Sequence, residues 1–171
     1  HDMAALARTL TQEGKFDEAV SRLNQHIAFV EKEFGKDNLV LGISLLALAT
    51  IEEKRENYKN AEGLFKRVID IRTSNLGPEH HDVAAARAHY GLFLVSRNKL
   101  SQAAEQIRRA AVLFARHNQR EGASGADMRA CIDIYGSILA RLQYDRQTIQ
   151  KHMQNLESGI DPEESRGKTD V

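Results

Sequence analysis

The stretch Glu56-Asn57-Tyr58-Lys59-Asn60-Ala61 (ENYKNA) has two counterparts in the chain, GKFDEA at 14–19 and RNKLSQA at 97–103. Their bulky residues, Phe16, Tyr58 and Leu100, each stand 42 positions from the next, and so do Ala19, Ala61 and Ala103. The segments between agree as well: FGKDNLVLG, from Phe34, lies 42 positions before LGPEHHDVA, from Leu76. Independent landmarks at one spacing mark an internal repeat, the first thing to establish about a fold.

Working outward, each unit reads as two helices. The second helix carries an apolar stripe at i, i+3, i+4, i+7 spacing. The stripes are Ala19, Leu23, Ile27, Val30 and Phe34, then Ala61, Leu64, Phe65, Val68 and Ile69, then Ala103, Ala104, Ile107, Ala110, Ala111 and Phe114. The first helix of the middle unit is apolar nearly all round, from Leu39, Val40, Leu41 and Ile43 to Leu45, Leu46, Leu48 and Ile51. Such a helix requires neighbours on several sides, which stacked helix pairs supply. Small residues recur at the same interval, with Ala7, Ala49 and Gly91 on the first helices. They predict close helix crossings within each pair. Helix formers dominate, only Pro78 and Pro162 interrupt, and no β-branched run alternates with polar residues. The predicted fold is all-α, an α-α superhelix (solenoid) of about three helix hairpins with a degenerate capping pair. We expect a repeat domain over 1–158, in units 1–35, 38–76, 80–118 and 124–158, and an acidic, disordered tail over 159–171. In the fourth unit, YGSIL at 135 repeats YGLFL at 90, offset by 45. Its second helix keeps a narrow stripe of Ile149, Met153 and Leu156 and a polar back of Thr148, His152 and Asn155, as a cap would.

Composition narrows the function classes. The 171 residues hold 24 Lys+Arg against 24 Asp+Glu, so no whole-chain basic field exists and no nucleic-acid partner is expected. The longest apolar run, LVLGISLLALATI at 39–51, is too short to span a bilayer, so no membrane insertion is expected. No secretory leader is visible, and Cys131 is the single cysteine. A cytoplasmic location is the expectation. No nucleophile–base pair or phosphate-cradling loop stands out, so we expect no enzyme, no cofactor and no metal. Cys131, within RACIDIYG, reads as packing. In LGPEHHDVA, Gly77-Pro78 reads as a turn and His80 to Asp82 as the start of a helix. His81 and His89 are eight residues apart, roughly 12 Å along a helix and too far for one ion.

These units resemble the tetratricopeptide repeat. The carrying residues are Leu48-Ala49 with Ala61 and Phe65, then Tyr90-Gly91 and Leu94 with Ala103 and Ile107. The repeat length and the LGPEHHDVA joint resemble kinesin light chains, in which His81 would be proline. The resemblance implies a protein–protein interaction module, an adaptor or scaffold that binds a protein or peptide segment in a concave groove. The alternatives are a homo-oligomer assembled by stacking of terminal repeats, or a regulatory repeat domain of a larger protein. Carried over residue by residue, the implied groove holds Ala4, Arg8, Thr11 and Gln12; Leu46, Thr50, Glu53 and Lys54; Ala88, His89, Leu92, Val95 and Ser96; and Asp133, Ser137, Ala140 and Arg141. Kinesin light chains carry a paired Asn that holds peptide backbone, and the matching positions here, such as Leu46-Ala47 and Ala88-His89, contain none. A second candidate surface is basic: Arg109, Arg116 and Arg120 fall on one face of a helix that would have to reach residue 120. The terminal Thr169-Asp170-Val171 resembles a PDZ-domain ligand.

Overall fold

The repeated segments are the turns inside each helix pair. Gly14, Glu56 and Asn98 hold left-handed backbone, at φ 75°, 62° and 57°. The amide after each bonds back to a carbonyl five residues earlier: Lys15 to Leu10, Asn57 to Glu52 and Lys99 to Leu94, at 2.8 to 2.9 Å. This closes the helix with its last carbonyls satisfied and sends the chain back antiparallel. Gln143, at φ 65°, makes the same turn in the fourth unit.

The computed structural model describes residues 3–122 and 125–163. Among them are eight helices and no strand: α1 Met3–Gln12, α2 Phe16–Phe34, α3 Leu41–Lys54, α4 Tyr58–Leu76, α5 His81–Ser96, α6 Leu100–Glu121, α7 Ala126–Arg141 and α8 Arg146–Glu157. The fold is an all-α solenoid of helix hairpins. Glycines end α2 and α4: Gly35 and Gly77 sit at φ 90° and 88°, a region that disfavours a Cβ. The chain divides into two compact units, His1–Pro78 and Glu79–Val171.

In the first unit α1 packs on α2 and α3, and α3 packs on α4. Ala7 and Ala49 on the first helices, and Ala19 and Ala61 on the second, are at most 1% exposed. Leu23, Leu41, Leu45, Phe65 and Val68 fill the space around them. Each such side chain contributes about 1.5–3 kcal/mol by leaving water. Two details of the sequence pattern do not carry over. Phe34, counted in the α2 stripe, is the last residue of the helix and is 63% exposed. Leu39 and Val40 precede α3, and with Ile43 they are exposed, so the apolar run is buried at Leu41, Leu45, Leu48, Ala49 and Ile51 rather than all round.

In the second unit α6 is central, packing on α5, α7 and α8. Ala103 is 0% exposed. Opposite it, Gly91 lies so close to α6 that a Cβ there would sit 2.6 Å from both Cγ1 and Cδ1 of Ile107. Gly136 is its counterpart on α7, where a Cβ would meet Met153 Sδ at 2.9 Å. Alanine is the better helix former by about 1 kcal/mol. Ile107 is branched and 0% exposed and cannot retreat, whereas the Met153 thioether can swing aside. Gly91→Ala is therefore expected to destabilise by a net ~1–2 kcal/mol and Gly136→Ala to be near neutral, read from urea midpoints. A Gly91→Ala protein as stable as its parent would contradict the close crossing.

The fourth pair corrects the sequence reading in one place. His152, assigned to the polar back of α8, is 4% exposed, and its Nδ1 lies 3.1 Å from the Tyr135 hydroxyl. That hydrogen bond is what admits a polar ring to the core. Residues 159–163, expected in the disordered tail, instead lie against α6. Gly159 O accepts from Arg116 Nε at 3.2 Å, and Asp161 is ion-paired with the buried Arg108. The remainder of that expected tail, including Thr169-Asp170-Val171, lies outside the described residues.

Candidate functional site

Two helices of the second unit present matching faces to a common cleft. On α5 the face is Ala85, Ala88, His89 and Leu92; on α7 it is Asp127, Ala130, Cys131 and Ile134. Both follow i, i+3, i+4, i+7, the spacing that puts residues on one side of a helix. Ile107 and Phe114 of α6 complete the lining. The cleft has a volume of about 330 Å³, at the small end of the range for ligand pockets. Small side chains on both walls open it, and Leu92, 47% exposed, stands at its rim. His89 and Asp127 are the ionisable residues of the lining apart from the Cys131 thiol. Burial, with the nearby Asp127 charge, pushes that thiol up to about 12, so it stays protonated at neutral pH.

The groove positions carried over from the family resemblance divide. Ala88, His89 and Leu92 line the cleft, whereas Val95, half-buried, does not. Asp133, Ser137 and Arg141 are exposed on α7 and are not among the residues that line the cleft. Ser137 Oγ donates to Asp133 O at 2.9 Å, and Arg141 Nη2 donates to Asn98 Oδ1 at 2.9 Å. In the first unit Arg8, Thr50 and Lys54 are exposed and Leu46 and Glu53 half-buried. Ala85, Ile107, Phe114, Asp127, Ala130, Cys131 and Ile134 were missed. The α7 wall was readable from its helical spacing, but a single sequence does not fix the rotation of the helix.

The arginines of α6 are not an uncompensated basic face. The helix does reach Glu121, but Arg109 pairs with Glu105, and Arg116 and Arg120 reach Glu79 Oε2 at 3.3 and 3.7 Å. Arg108 is buried at 6% exposure, between Glu105 and Asp161. Burial alone would raise the Glu105 carboxyl, but the Arg108 hydrogen bond and the charges of Arg108 and Arg109 outweigh it and hold it below its usual value. In the joint, the His80 side chain caps α5 by accepting the Asp82 amide at 3.1 Å on Nδ1. The joint reading of LGPEHHDVA thus has a specific hydrogen bond behind it.

Paired helices at a fixed interval, with an apolar cleft between successive first helices, define an α-helical repeat protein. The tetratricopeptide repeat model matches residues 2–74 and, in a second overlapping register, 42–114. The chain belongs to the tetratricopeptide repeat family, whose members generally mediate protein–protein interaction. Among solved structures it is similar to BtubC (BKLC) from P. vanneervenii, with TM-score 0.71 and 17% identity over 99% of this chain. The chain spans 65% of that protein's length. It is also similar to the nearly identical TPR-like repeats of a kinesin-light-chain-type protein from Podosopora anserina, with TM-score 0.58 and 17% identity. There the match covers 96% of this chain and 95% of the other. At these identities the likeness is one of fold, and the fold is of the kinesin-light-chain-like type. No curated protein matches the chain by sequence. No helix among the described residues is long and apolar enough to cross a membrane.

Proposed function

We propose that the chain is a protein-binding module that takes an apolar side chain of a partner segment into the cleft between α5 and α7. The single observation that carries this reading is the cleft itself: an apolar recess, walled by alanines, with an exposed leucine at its rim. A recess of this kind suits one anchoring side chain of an extended or helical peptide. His89 and Asp127 supply polar groups at its lining that can fix the orientation of the segment. The arrangement offers a binding surface rather than a reactive centre, since the thiol in the lining is held as the neutral acid. An adaptor or scaffold role in the cytoplasm is the function this reading assigns.

A peptide-display selection against the parent, repeated on Leu92→Glu, tests the proposal. Leu92 is exposed, so the variant is expected to keep the parent's helicity while selected peptides bind at least ~30-fold more weakly, about 2 kcal/mol. Peptides that bind both proteins equally would remove the cleft from the account. A second reading, self-association, rests on Phe29, Phe34, Val40 and Ile43 of the first unit, each at least 59% exposed. Light scattering on dilution separates the two.

A further inference from the structure

The joint that opens the second unit carries a donor set that the cleft does not use. His80, His81 and Asp82 each offer one ligand atom, and these atoms all lie within 4.8 Å of one another. His81 Nε2 is 3.4 Å from Asp82 Oδ1, and His80 Nδ1 is 3.8 Å from Asp82 Oδ2. Two ligands on one tetrahedral ion, at bond lengths of about 2.1 Å, stand roughly 3.4 Å apart. The carboxylate is therefore already near ligand separation from both imidazoles. Local sequence produces this arrangement: His80 is the extended cap residue, and His81 and Asp82 are the first two residues of α5, so consecutive side chains converge at the helix start. The rings are in contact: His80 is tilted against His81 with centroids 4.4 Å apart, and His81 stacks on His117 of α6 at 4.8 Å.

We infer that His80, His81 and Asp82 form a solvent-facing site for a borderline divalent transition metal ion, with Zn²⁺ the best match. Two imidazole nitrogens with one carboxylate select Zn²⁺, Ni²⁺ or Cu²⁺ over Mg²⁺ and Ca²⁺, which prefer all-oxygen shells. All three side chains are a third or more exposed, so the ion has a path in. Of the cations near the joint, Arg116 and Arg120 both reach Glu79. A fourth ligand would be water. Occupation is coupled to the fold at one atom. A neutral imidazole has one lone-pair nitrogen, and in His80 it accepts the Asp82 amide. Ligation by His80 exchanges that hydrogen bond for a metal bond, so the ion replaces the cap of α5.

Zn²⁺ titration of the chain, free of any affinity tag, tests the site by calorimetry and by the Asp82 amide resonance. The expected result is one equivalent bound at micromolar Kd, a shifted Asp82 amide, and no response to Mg²⁺ or Ca²⁺. His81→Gln and Asp82→Asn, which leave His80 in place, are expected to weaken binding at least ~10-fold, and His26→Gln in the first unit to leave it unchanged. The parent needs no variant to refute the site: no bound Zn²⁺, or binding with the Asp82 amide unmoved, overturns it. Equal affinity in His81→Gln overturns it too, as adventitious binding elsewhere on the chain.

Discussion

Ala103→Glu is expected to cost about 3–5 kcal/mol and to lower the melting temperature by roughly 10 °C or more. Ala103 is 0% exposed in the first turn of α6, on the helix that packs against α5, α7 and α8. A glutamate there has two routes, both costly. It can stay, burying a carboxylate among apolar neighbours, or it can force α5 and α6 apart. The second route undoes the crossing at which Gly91 meets Ile107. Since whole domains are stable by only about 5–15 kcal/mol, the variant loses a large share of its stability. Ala19 and Ala61, equally buried at 0%, hold the same place in their own helices, and glutamate there is expected to behave alike. Melting followed by circular dichroism checks this, and a parental transition in Ala103→Glu would contradict the repeat register.

The second large effect concerns Arg108. Its guanidinium is buried and shared between Glu105 on its own helix and Asp161, 53 residues away in sequence. Arg108→Ala removes the guanidinium paired with the nearly buried Asp161 carboxylate, which also accepts the Glu163 amide, and the expected loss is about 3 kcal/mol, most of it from the charge left without its counter-ion. The double change Arg108→Met with Asp161→Leu removes both charges and is expected to recover most of that loss. The pH dependence has a definite sign. The folded Glu105 carboxyl titrates below its ordinary value near 4.5, so its contribution is present above that value and is lost as pH falls through the folded pKa. Glu105→Gln is expected to flatten that acid limb, and an unchanged limb would remove Glu105 as its source.

What was legible in the sequence was whatever repeats. Tyr58, Ala61 and Ala49 recur at one interval because every hairpin needs the same turn, the same small crossing and the same stripe. That periodicity gave the helix order and the buried alanines. The start of α5 near His80 was placed by turn chemistry at the Gly77-Pro78 joint, though not the capping role of His80 itself. Three features left no such mark. The Arg108–Asp161 pair joins distant positions by one tertiary contact, so residues 159–163 read as the start of a solvated tail. His152 is polar, and only its contact with Tyr135 places it inside. The inner wall of α7 depends on helix rotation, which a single sequence does not fix, so Asp127, Ala130 and Cys131 were not assigned to the cleft they line.

The central claim, that the cleft of the second unit is where a partner is held, is tested most directly by methyl NMR with a display-selected peptide. Saturating peptide is expected to shift the methyl resonances of Ala85, Ala88, Leu92, Ala130 and Ile134 together, with those of the first unit at rest. Shifts confined to Val40 and Ile43, with the five cleft residues unmoved, would contradict it.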